Sequence, residues 1–183
     1  MVTVRPARIG DAAAIAAVQR ASWFAAYEGI IARDIIDQFT APDDGARVRE
    51  VFRTRPWQHT IAAEAPAAQG IIGYASFGSE RDVLHGSWPY ELTAAGVAGD
   101  IAELYAFYVH PGWWSAGAGR ALMDRALRDT ARLGFGEIVL WVLEKNTRAR
   151  RFYERAGFTA DGESSVLEGL GGVTEVRYRR ELP

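Results

Sequence analysis

Cysteine is absent from the 183 residues, and histidine occurs only three times. The first absence removes disulfides, thiolate nucleophiles and Cys-based zinc sites. The histidines, at positions 59, 85 and 110, are scattered and follow no ligand spacing, so no metal is expected. A charge excess is also lacking: 21 Lys and Arg stand against 23 Asp and Glu, a formal net of -2. A dedicated nucleic-acid binder is usually strongly basic, so nucleic acid is not an expected partner. No apolar run reaches the ~18 residues of a membrane span. The opening "MVTVRPARIGD" has no signal-peptide core, and the expected location is cytoplasmic. What is plentiful is apolar material, 49% of residues, at a length that suits one domain over 1–183.

Residues 2–6 read as a first strand. Asp11 is placed to N-cap a helix through "AAAIAAVQRASWFAAY", whose buried stripe is Ile15, Val18, Ser22 and Ala25, flanked by Gln19, Trp23 and Tyr27. A further helical stretch runs roughly from Arg33 to Arg53, interrupted by "TAPDDG". "HTIAAEA" and "GIIGYASFG" pair as strands across "PAAQG". Residues 80–100 show no period and read as an irregular excursion of the kind that often carries function. "DIAELYAFYVHP" is a strand stopped by Pro111. Gly119, Leu122, Met123, Ala126, Leu127 and Thr130 then share one face of a helix whose other face is charged. "EIVLWVL" barely alternates, as suits a strand covered on both faces. A strand, a helix and a strand with short connections imply a parallel pair. A short helix after Asn146 ends at Gly157, and "FTADGES" with "VTEVRYRREL" closes the chain as an antiparallel pair.

Ahead of the amphipathic helix lies "SAGAGR", residues 115–120. Small residues before a helix N-terminus let unpaired N–H groups converge on an anion, so Ser115, Ala116, Gly117, Ala118, Gly119 and Arg120 can cradle a phosphate. A glycine turn that merely lets strand and helix approach is the other reading. The loop is not a P-loop, because Arg120 and Ala121 follow Gly119. Nor is it a dinucleotide fingerprint, because Leu122 occupies the third small position.

Three segments together resemble the GCN5-related N-acetyltransferase (GNAT) superfamily. They are Val109 and Pro111 at a strand end, Trp114 with Gly117 and Gly119, and Asn146, Ala149, Phe152, Tyr153, Gly157 and Phe158. The match is close over about residues 100–160. The resemblance implies an α/β fold: a mixed, mostly antiparallel sheet with a splayed parallel central pair, strands 4 and 5, flanked by helices. It implies an acyltransferase that moves an acetyl group from acetyl-CoA to a primary amine of a small molecule or protein. A non-catalytic acyl-CoA-binding module on the same fold is the alternative. A homodimer is compatible, as dimers are common among such proteins. One departure stands out: the family usually has Gln or Arg where this chain has Trp114, and often a basic residue at Ala116.

Residue roles follow from that resemblance. An alkylamine is mostly protonated near neutral pH, so a base must remove its proton. Glu103, the acid within the apolar run 101–109, is the candidate base; a strand-end carboxylate paired with an arginine is the other reading, and Asp100 and Glu91 are weaker candidates. Tyr153 is the candidate acid for the departing thiolate, with a core tyrosine as the alternative. Phe107, Tyr108 and Val109 should offer main-chain groups to the pantetheine arm. Asn146 is assigned to a pantetheine amide or a helix N-cap, and Arg151 to the 3′-phosphate or to solvent. Trp23, Tyr27 and Trp88, with His85 and Tyr90, are candidates for the acceptor pocket or, for Trp23, for the core.

Overall fold

A computed structural model describes residues 2–68, 70–81 and 100–183. Seven strands form one sheet: β1 (Thr3–Pro6), β2 (His59–Ala65), β3 (Gly70–Ser79), β4 (Ile101–Val109), β5 (Glu137–Leu143), β6 (Thr159–Leu167) and β7 (Val173–Glu181), in the order β1-β2-β3-β4-β5-β7-β6. Every neighbouring pair is antiparallel except β4–β5. The helices are α1 (Ala12–Tyr27), α2 (Arg33–Phe39), α3 (Ala46–Thr54), α4 (Ala118–Arg132) and α5 (Thr147–Arg155).

Helices cover both faces. On one, α4 buries Leu122, Met123 and Ala126 against Ala75, Phe77 and Leu140. These helix positions are the apolar face that the 3.6-residue period identifies. On the other, Ile15 and Val18 of α1 pack on Tyr74 and Tyr108. The central strands β3 and β5 are buried nearly end to end, which explains why "EIVLWVL" hardly alternates. The C-terminal half of α1 joins α2 and the β6–β7 end in a further cluster containing Ile31, Ile36 and Leu143.

Two local expectations need correction. Asp11 stands at the N-cap position of α1, but its side chain caps nothing there. Its carboxylate accepts the Arg8 N–H at 2.7 Å and the Arg5 guanidinium at 2.8 and 2.9 Å, which closes a 3-10 turn and ties it to β1. Ala25 is exposed, and the buried stripe of α1 is Ala12, Ile15, Val18 and Ser22.

His59 on β2 stacks on Phe77 at 5.8 Å between ring centroids. Burial lowers its pKa from the ordinary 6.5, with Asp129 pulling the other way. The unfolded chain therefore takes up a proton more readily than the folded one. The His59 contribution is whole above about pH 6.5 and is lost as pH falls below that value. We expect the melting temperature to drop between about pH 7.5 and about pH 5.5, and His59→Phe, which keeps a ring on Phe77, to flatten the slope. Equal slopes for the two proteins would refute this.

Candidate active site

The pairing of β4 with β5 stops early. Ile101, Ala102 and Glu103 face Glu137, Ile138 and Val139, and then residues 104–109 and 140–143 run on without a mutual partner. A register shift in β4 accompanies the opening: Phe77 faces Leu104 and Ser76 faces Ala106, so Tyr105 has no partner on β3. Such a bulge bends its strand and re-aims the following side chains. Phe107 now meets Phe152 and Tyr153 at 5.3 and 6.2 Å between ring centroids, whereas Tyr108 turns to the α1 side and meets Tyr74 at 5.6 Å.

The backbone follows the same logic. His110 donates its N–H to the Ile72 carbonyl at 2.8 Å, so Val109 and Gly73 face each other as a pair without mutual hydrogen bonds. The N–H and C=O groups of Val109, and by alternation of Phe107, point away from β3 and into the gap. The Val109 carbonyl is already engaged there. It accepts the Ser22 hydroxyl at 2.9 Å and the Trp114 indole N–H at 2.7 Å.

The gap widens into a groove of about 1330 Å³. Its wall includes Trp114, Ser115, Gly117, Gly119 and Arg120 from the loop. Ser115 and Gly117 are both left-handed, at φ 64° and 85°. Glycine adopts that conformation without strain, whereas serine holds it only under constraint. No side chain caps α4, and its first internal bond runs from Ala121 N–H to the Gly117 carbonyl at 3.0 Å. The amides of Ala118, Gly119 and Arg120 therefore lack an intrahelical acceptor. Gly119 serves a second purpose: a Cβ there would stand 3.3 Å from the Phe152 ring, so its absence lets α5 close on α4.

Asn146 caps α5, accepting the Ala149 N–H at 3.1 Å, and it also lines the groove. Tyr153 is buried among Phe107, Phe152 and Phe158, and reaches the groove wall. Burial raises its pKa above the ordinary phenol, with Tyr108 adding to the effect. Tyr27, Tyr74 and Tyr108 are raised for the same leading reason, so the cluster stays neutral across the physiological range. Trp23 meets Tyr27 edge-on at 5.1 Å, and its indole N–H is buried with no hydrogen-bond partner among the described residues.

This arrangement has known counterparts. The sequence model of the Acetyltransferase (GNAT) family matches residues 25–158. The chain belongs to the GNAT acetyltransferase family. It is accordingly an acyltransferase. It is 30% identical over 146 residues to the uncharacterized N-acetyltransferase YuaI of Bacillus subtilis, covering 80% of this chain and 74% of that one. Among solved structures it resembles the PaiA N-acetyltransferase of Thermoplasma acidophilum in complex with coenzyme A, with TM-score 0.73, 19% identity and 99% of each chain covered. It also resembles YncA of Salmonella typhimurium, a putative acetyltransferase with its cofactor acetyl-CoA, with TM-score 0.70, 20% identity, and 100% and 95% covered. These structures share its fold.

Within this GNAT fold, most residues singled out from the sequence meet at one groove. Trp23, Tyr27, Phe107, Tyr108, Val109, Trp114, Asn146, Arg151 and Tyr153 all line it. Trp88, with His85, Tyr90 and Glu91, lies outside the described residues. Asp100 sits at the far end of β4, accepting the Gly136 N–H at 3.1 Å. Glu103 is not on the groove wall. Its carboxylate accepts the backbone N–H of Arg81 at 3.0 Å and the Arg81 Nε at 2.8 Å, and Arg81 is the residue that faces the groove. Arg81, Trp141, Arg148 and Glu175 also line it and were not anticipated. No local signal marks them: Glu175 and Trp141 lie in strands whose groove-facing side is set by sheet order. Among the described residues, no three His, Cys, Asp or Glu side chains cluster to hold a metal, and no helix is long and apolar enough to cross a membrane.

The Arg81–Glu103 pair is asymmetric, with side-chain exposures of 50% and 2%. Removing the arginine strands a buried carboxylate, whereas removing the glutamate leaves a cation that can turn to water. Arg81→Ala should therefore destabilise by roughly 3 kcal/mol, and Glu103→Ala by less. Urea titrations of the two variants at about pH 7.5 read both losses. A larger loss for Glu103→Ala would contradict the asymmetry.

Proposed function

We propose that this GNAT protein transfers an acetyl group from acetyl-CoA to a primary amine. The observation that carries this reading is the pairing of open amides at 118–120 with a strand gap that begins where β4 and β5 part. A diphosphate suits the amides, which need no particular side chain. An extended pantetheine arm suits the gap, where it can join β4 through main-chain groups as an added strand does. Since the Val109 carbonyl already holds Ser22 and Trp114, the Phe107 N–H and C=O and the Val109 N–H are the groups left for it. Asn146 and Arg151 line the same groove, and the 3′-phosphate is assigned to Arg151.

The chemistry then follows. The neutral amine attacks the thioester carbon, a main-chain N–H of β4 steadies the oxygen that gains charge, and the carbon–sulfur bond breaks. Tyr153 gives the leaving sulfur its proton and regains one from the groove water; a phenol held neutral by burial is suited to donate it. Glu103 acts at one remove, as a positioning residue that fixes Arg81 on the groove wall. The amine proton leaves through groove water, with Glu175 the carboxylate placed beside Leu143 in the β5–β7 ladder to receive it. Trp23 and Tyr27 form an aromatic wall suited to an amine cation.

Coenzyme A at about 100 times its Kd should raise stability by about 2.7 kcal/mol, or roughly 5–10 °C in melting temperature. Tyr153→Phe should cut kcat about 100-fold in an assay of free thiol released across an amine panel, while CoA affinity stays within about twofold. A protein with no thermal response to coenzyme A would refute cofactor binding. A Tyr153→Phe variant with full turnover would refute the acid assignment.

A further inference from the structure

The loop from 114 to 119 reads Trp-Ser-Ala-Gly-Ala-Gly and offers no cationic side chain. Arg120, which follows, already faces Asp124 at 3.8 Å. A diphosphate brought to the amides of α4 would thus meet little positive side-chain charge from the loop itself. Arg148, the second residue of α5, lies on the same groove wall, with its guanidinium carbon 4.3 Å from the centre of the Trp114 ring. Of the neighbouring arginines, Arg150 donates to the Tyr178 hydroxyl at 2.9 Å and to the Glu144 carbonyl at 3.0 Å, and Arg180 donates to the Ala156 carbonyl; Arg151 and Arg155 also line the groove, but Arg148 is the one stacked on the Trp114 ring beside the loop. Arg148 is exposed and pairs with no carboxylate among the described residues.

Trp114 is not free to swing. Its N–H is tied to the Val109 carbonyl at 2.7 Å, so the ring plane is anchored to the end of β4 directly ahead of the loop. A guanidinium stacked on an indole uses its face for the ring and keeps its N–H edge for oxygen acceptors. We propose that Trp114 is a platform that holds Arg148 against the diphosphate of the acyl-CoA, so that the cation comes from α5 across the groove and not from the loop. The tryptophan at 114 then does not weaken the cofactor site; it relocates the charge. This rests on the acetyl-CoA reading above.

Calorimetric titration of the full chain with CoA and with dephospho-CoA, which lacks the 3′-phosphate, tests the assignment. Arg148→Ala should weaken both ligands about tenfold, the loss of one charge-assisted hydrogen bond. In a Trp114→Leu background the further effect of Arg148→Ala should fall below about threefold. Trp114→Phe keeps a ring but loses the N–H, and the Arg148 effect should persist there, which guards against a Leu variant that folds poorly. An Arg148→Ala protein with wild-type affinity overturns the proposal. So does a loss confined to CoA, or an undiminished loss without the ring. Wild-type protein that ignores both ligands would overturn the acetyl-CoA reading itself.

Discussion

The parallel strands β4 and β5 are joined at three facing positions and then separate, and the groove described above occupies the space this leaves. Main-chain polar groups in a sheet interior must find partners, and the separation takes β5 away from β4 over residues 104–109. Tyr105, which the β3–β4 register skips, lies at the start of that stretch and reverses which side chains face which helix layer. One carbonyl, that of Val109, is supplied from within the protein by Ser22 on α1 and Trp114 on the loop. The two bonds join α1 and the loop at the end of one strand. The N–H of Val109 and the N–H and C=O of Phe107 also face the gap.

Charge is arranged around that gap by burial. The aromatic lining of the groove includes phenols held neutral, Tyr27, Tyr108 and Tyr153. The formal charges stand at its margins: Arg120, Arg148 and Arg151 border the loop and α5, while Arg81 and Glu175 border the strand side. A neutral, low-polarity centre strengthens the few aimed donors within it, and exposed arginines at the edge keep their hydration until an anion replaces it.

Elements with a strong period were legible because burial on one face imposes the period. Helix α4 shows this at Leu122, Met123 and Ala126, as does β5 through its unbroken apolar run. The loop was legible from Gly117 and Gly119, which the structure explains separately, one by a left-handed φ and one by the closeness of Phe152. Glu103 was conspicuous for a sound reason, an acid in an apolar strand. Its partner, Arg81, lies in a different segment and could be identified only when β3 and β4 were set side by side. Arg148 occupied a variable position between Asn146 and Ala149, with nothing in its neighbours to distinguish it from a solvated surface charge.

The order of residues by itself determined where helices and strands form, which of their faces are apolar, and that a small-residue turn opens α4. These are local consequences of side-chain size, backbone freedom and periodicity, each acting over a few residues. Only the tertiary structure decided that the β4–β5 pair parts after Glu103 and Val139, that Glu103 meets Arg81 behind the groove, and that Arg148 lies on Trp114. Those are meetings between segments far apart in the chain. They depend on strand order, on a one-residue register shift and on the approach of two helices, none of which leaves a mark in the spacing of the residues concerned.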